Sequence, residues 1–125
     1  MIDKSYLFLT FIVLSFLIIA EDEKNALIEV YSKGTKENSI NIVLKDNIDI
    51  KNKITSAGSL VLKDNIAKKN AFIVDKLINA NYFIYGKANL SEWANFRSED
   101  SISGWSSYGG QTNHYLNDDY NPCGS

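Results

Sequence analysis

At 125 residues, with the first twenty set apart by their composition, the chain has room for one modest domain or a piece of one. Lys and Arg number 13 against 15 Asp and Glu, and the formal charge of -2 provides no basic footprint for nucleic acid and no polybasic run for anionic lipid. The single cysteine, Cys123, excludes an internal disulfide framework, and with one histidine in the chain a Cys- or His-based metal site is unsupported.

Tyr6 to Ala20 is apolar apart from Thr10 and Ser15, and it stops at the charged run Glu21-Asp22-Glu23-Lys24. As a helix it reaches about 22 Å, against a hydrocarbon core of roughly 30 Å, a length that suits the apolar region of a signal peptide with Ala20 near the cleavage point. Secretion is therefore the expectation for residues 1–20, with an uncleaved membrane anchor as the alternative. A buried core helix is disfavoured because the run has no polar face.

Between Glu23 and Lys33, residues Ala26, Leu27, Val30 and Tyr31 fall at helical spacing and Gly34 stands where a C-cap glycine would, so 21–39 is expected to be a short helical lead-in. Ile40 to Leu44 is a short branched apolar run, expected as a strand that delivers Lys45 and Asp46 to its carboxyl end, where sites are commonly built. Asn70 is placed to cap a helix running to about Asn79, with Ala71, Val74, Leu77 and Ile78 on one face. A strand over Tyr82 to Tyr85 and a turn at Gly86 follow. This alternation predicts an α/β fold.

The hexapeptide Val-Leu-Lys-Asp-Asn-Ile occurs at 43–48 and again at 61–66, too short and isolated to define a structural repeat. After Phe96 the chain becomes rich in Ser, Gly, Asn and Asp, punctuated by Gly109-Gly110, Asn117-Asp118-Asp119 and Asn121-Pro122. Nearly thirty residues of loop are expected there, and a loop of that length in a compact domain points to function.

The run from Gly86 to Ser98, GKANLSEWANFRS, resembles a hallmark segment of amidase-signature enzymes, in the branch of bacterial and fungal amidases similar to peptide amidase. Ser103-Gly104-Trp105-Ser106, Gly109-Gly110-Gln111-Thr112 and Asn121-Pro122-Cys123-Gly124-Ser125 continue the pattern, the last looking like the opening of the family's Gly/Ser-rich motif. Upstream, Leu44-Lys45-Asp46-Asn47 resembles the segment holding the family's lysine, and Ala57-Gly58-Ser59 also fits. Several ordered motifs over residues 40–125 are far more specific than one short pattern.

The resemblance implies that 40–125 is the amino-terminal part of an amidase domain, a mixed sheet flanked by helices. It implies hydrolysis of a small carboxamide through an acyl-enzyme, with a nucleophilic serine, a bridging serine and a lysine, and with no cofactor or metal. Serine needs a base at neutral pH, and lysine serves only where its surroundings favour the neutral amine. Lys45 matches the base and Ser125 the bridging serine, whose peptide bond from Gly124 is cis in the family. The acylated serine belongs further downstream and has no counterpart in these residues, nor do the oxyanion donors. The alternative is therefore a truncated or secreted remnant without activity of its own. Lys63 shares the local motif of Lys45, but Lys45 precedes Ala57-Gly58-Ser59 as the family lysine does and leaves the longer interval to Ser125.

Other residues have plainer readings. Trp93, Phe96 and Trp105 are expected to pack rather than touch substrate. Gln111 and Thr112 either line the site or satisfy loop backbone groups. Cys123 is a small residue near the turn, His114 is incidental, and the sequon Asn89-Leu90-Ser91 is expected to be packed and unglycosylated.

Overall fold

A computed structural model of the protein describes residues 22–31, 38–96 and 99–124. The apolar run 6–20, Gly34 and Ser125 lie outside the described residues.

Three strands form the central sheet: β1 (Leu27–Val30), β2 (Ile40–Lys45) and β3 (Tyr82–Ala88), in the order β1-β3-β2. The β1–β3 pair is antiparallel and the β2–β3 pair parallel, so the sheet is mixed. A parallel neighbour requires a crossover, and α1 (Phe72–Asn79) lies within the one between β2 and β3. Leu44, Ile50 and fully buried Val74 form the core, with Ile42, Tyr31, Leu77 and Ile84 packed against it. The helix thus covers the sheet through Val74 and Leu77 of the face predicted for it, as an α/β architecture requires, while Ile78 of that face is 48% exposed.

Residues 46–71 are loop and turn, pinned without a long strand. Ile54 and Ile66 form an isolated antiparallel bridge, and the Ala67 amide donates to the Lys53 carbonyl at 2.9 Å while Asn52 donates to that of Ala67 at 2.9 Å. Beyond β3 the chain runs through a short turn at Glu92–Asn95 and then a two-stranded piece, β4 (Trp105–Ser106) with β5 (Gly110–Gln111). The long loop expected after Phe96 is, over residues 99–124, a series of turns around this minimal hairpin.

Three local expectations are corrected. Leu27–Val30 is a strand, not part of a helix: Ile28 and Val30 are β-branched, and pairing with β3 satisfies backbone groups that so short a helix would leave open. Asn70 does not cap α1. The N-cap is Ala71 with no side-chain bond, while the Asn70 amide accepts from Lys51 N at 2.7 Å and donates to Asp75 at 2.8 Å. Gly86 is no turn but the middle of β3, where a Cβ would stand 2.2 Å from the Glu29 carbonyl oxygen. Glycine is required by the close approach of β1, next to the step at which the β2–β3 pairing slips register.

Candidate active site

Because β2 and β3 run parallel, their carboxyl ends open on the same side of the sheet. Lys45, the last residue of β2, is half-buried opposite Ala88, the last of β3. This is the strand end predicted for it. Lys63, in the second copy of the hexapeptide, closes a one-turn helix at the surface, with its side chain 58% exposed and 3.5 Å from Asp64.

At this end of the two strands the interior is ionic. Lys87 Nζ lies 3.1 Å from Asp46 Oδ1, and both side chains are almost wholly removed from solvent. The other carboxylate oxygen accepts from the Ser56 amide at 3.1 Å and from the Ser56 hydroxyl, and Lys87 also donates to the Ile54 carbonyl at 3.2 Å. Burying two charges is tolerable only when each finds such partners. The pair ties the ends of β2 and β3 to the loop that carries Ser56.

From β3 the chain passes into Asn89-Leu90-Ser91 and then a turn in which Trp93, Ala94 and Asn95 have φ of 53, 54 and 65°. Left-handed backbone costs about 1–2 kcal/mol for a residue other than glycine, and asparagine bears it best. Burial of the Phe96 ring does not compensate, since it is 94% exposed, and Trp93 is 42% exposed. Of the three aromatics expected to pack, Phe96 does not, while Trp93 is partly covered and Trp105 half-buried.

Around this turn the glycine- and serine-rich segments interlock. Ser91, fully buried, accepts from Gly104 N at 2.8 Å and donates to the Gly124 carbonyl at 3.2 Å. The Asn95 amide donates to the same carbonyl at 3.2 Å. Glu92 accepts from Ser107 N at 2.7 Å, and Trp93 N donates to the Ala57 carbonyl at 3.0 Å. Asn89 donates to the carbonyls of Asn25, Gly109 and Gly110 and accepts from Leu90 N and Ser106 Oγ. A cavity of about 130 Å³ remains between these segments, walled by Asn89 to Ser91, Gly104, Thr112 and Pro122 to Gly124.

The family model described as Amidase matches residues 9–125. The chain belongs to the amidase family. A candidate amidase of Schizosaccharomyces pombe is 41% identical over 87 residues, 69% of this chain and 15% of that protein. A glutamyl-tRNA(Gln) amidotransferase subunit of Sulfurimonas denitrificans is 33% identical over 108 residues, 86% of this chain and 22% of that one. Among solved structures, the peptide amidase of Stenotrophomonas maltophilia superposes with a TM-score of 0.73 at 39% identity, over 82% of this chain and 24% of its own. An amidase family protein of Bacillus anthracis gives 0.72 at 33%, over 85% and 26%. The chain thus carries part of the amidase-signature fold and spans 15–22% of the length of the two relatives compared by sequence.

Of the residues expected to act in this amidase chain, Lys45 is at the sheet's carboxyl end, and Ser125 follows Gly124 in sequence but lies outside the described residues. Gln111 satisfies loop backbone, donating to the carbonyls of Ser103 and Thr112 at 3.1 and 2.8 Å. Thr112 does both things open to it: it walls the cavity and donates to the Asn25 carbonyl at 2.8 Å. Cys123 is exposed on the cavity wall, and His114 accepts from Leu116 N in a local turn. Reading the sequence residue by residue passed over Lys87, Ser91 and Asn95. All three lie inside the Gly86–Ser98 motif, which could be matched as a string without saying which side chains turn inward.

Proposed function

We propose that this chain supplies the lysine arm and the bridging serine of an amide-hydrolysing active site acting on the C–N bond of a small carboxamide. The observation that carries this reading is the parallel register of β2 and β3. It puts Lys45 at the same end of the sheet as the Asn89–Asn95 segment that grips Gly124, the residue before Ser125. In the proposed reaction Lys45 as the neutral amine takes a proton through the Ser125 hydroxyl, which activates a second serine to attack the carboxamide carbon. The tetrahedral oxyanion needs backbone donors, and collapse expels the amine, which takes the relayed proton. Neither the attacking serine nor those donors has an assigned counterpart in residues 1–125.

The test is made on the full-length gene product. Lys45→Ala is expected to abolish acylation by a fluorophosphonate and turnover of primary carboxamides, while Lys63→Ala leaves both intact. Equal loss in the two variants would remove the assignment of Lys45, and absence of labelling in the unaltered protein would remove the serine mechanism.

A secretory route rests on the apolar run 6–20, with membrane attachment through the same residues as its alternative. Amino-terminal sequencing of the mature protein decides: a start near Glu21 supports cleavage, and an intact Met1 in the membrane fraction supports the anchor.

A further inference from the structure

The carbonyl oxygen of Gly124 belongs to the peptide unit that also carries the Ser125 amide. Two side chains hold it, Ser91 Oγ at 3.2 Å and Asn95 Nδ2 at 3.2 Å. A peptide unit is planar, so two donors converging on its oxygen restrain the unit at Gly124. Both donors are themselves fixed. The Ser91 hydroxyl also accepts from Gly104 N at 2.8 Å, and the Asn95 amide also donates to Ser103 Oγ at 3.3 Å. A carbonyl can only accept, so it dictates which end of the Asn95 amide faces it. The opposite end bears the cost: Asn95 Oδ1 is buried and has no hydrogen-bond partner among the described residues.

The backbone shows the same priority. The left-handed run Trp93-Ala94-Asn95 leads into Phe96, whose ring is 94% exposed, so packing of that ring does not explain it. What the turn accomplishes is to bring Asn95 back beside Ser91 onto one oxygen. Strain retained without a packing return is characteristic of positions whose geometry matters for function.

We propose that Ser91 and Asn95 are positioning residues that clamp the Gly124–Ser125 peptide unit, so that the Ser125 hydroxyl is held for proton relay to Lys45. This rests on the reading of Ser125 as the bridging serine. Neither residue touches the reacting atoms. Their contribution is to the alignment of the relay, and alignment enters kcat rather than substrate binding.

The test uses the full-length gene product, labelled to completion with a fluorophosphonate to count active sites and assayed on primary carboxamides. Ser91→Ala removes one donor. Asn95→Asp keeps the side-chain shape and tolerance of left-handed backbone while turning the donor into an acceptor. Each variant is expected to lose about 10- to 100-fold in kcat per active site, with KM within about threefold of the parent. Phe96→Ala, on the exposed side of the same turn, keeps its kcat. A loss smaller than about tenfold in Asn95→Asp, or an effect confined to KM, overturns the clamp. If Ser91→Ala does not fold, Asn95→Asp decides alone; failure of both to fold makes the residues structural and also overturns it. An unaltered protein that neither labels nor turns over a carboxamide refutes the amidase reading itself, and the relay role falls with it.

Discussion

Lys87 Nζ stands 3.1 Å from Asp46 Oδ1 in an interior closed to water, one residue along the chain from Lys45. The pair joins the carboxyl ends of two parallel strands, and its partners Ser56 and Ile54 bring the following loop to the same point. The strand end that presents Lys45 is thereby held by charge and hydrogen bonds as much as by apolar packing.

Lys87→Met is expected to destabilise the protein by about 3–5 kcal/mol, because it strands the Asp46 carboxylate away from solvent. Asp46→Asn combined with Lys87→Met should be milder than the sum of the single changes, since both charges then leave together. Urea unfolding of the four proteins measures the coupling. Additive losses would show that the two side chains do not act as a pair.

Gly86→Ala places a methyl 2.2 Å from the Glu29 carbonyl oxygen, a backbone atom that cannot move aside alone. A cost of about 1–3 kcal/mol is expected, concentrated where β1 meets β3. Amide exchange reports it locally: the Tyr31 amide, which donates to the Tyr85 carbonyl at 2.9 Å, should lose protection before the amides of the β2–β3 pair.

Asn89→Asp sets a carboxylate against the carbonyls of Asn25, Gly109 and Gly110, which the amide now serves as donor. A loss of about 1–3 kcal/mol is expected, seen as a lowered melting temperature. The same engagement predicts that the sequon stays unmodified. Expression through a glycosylating secretory pathway should yield a protein whose mass does not change on treatment with a glycosidase.

Burial, together with the negative charges of Glu29 and Asp46, holds the Tyr31 phenol well above its ordinary range. The folded state keeps this proton more tightly than the unfolded chain does. The resulting stability is whole below about pH 10, where unfolded tyrosine is still protonated, and it falls as pH rises beyond that. Urea midpoints measured across this range should drop, and Tyr31→Phe should flatten the drop.

The repeated hexapeptide shows where reading the sequence succeeds and where it stops. At 43–48 it completes β2, with Leu44 in the core and Asp46 buried; at 61–66 it forms a surface turn with Val61 87% exposed and Asp64 in solvent. Identical local propensities cannot separate the two copies. The first has β3 beside it and Lys87 beneath it, whereas the second is tied to the loop at Ile54 and Thr55 through Ile66 and Asn65. The helix over 70–79 and the strand before Lys45 were legible because their apolar spacing coincides with one buried face. Leu27–Val30 was misread as helix because its pairing partner lies more than fifty residues away.

Family membership and the α/β character are readable from the amino-acid string, because ordered motifs survive as strings whatever their surroundings. Three features appear only in the folded chain: Gly86 lies inside a strand, Lys87 neutralises Asp46 in the interior, and Ser91 and Asn95 converge on the Gly124 carbonyl. Each of these depends on distant segments approaching within hydrogen-bonding or van der Waals distance. Such approaches are set by strand register and backbone handedness, which no short stretch of sequence encodes alone.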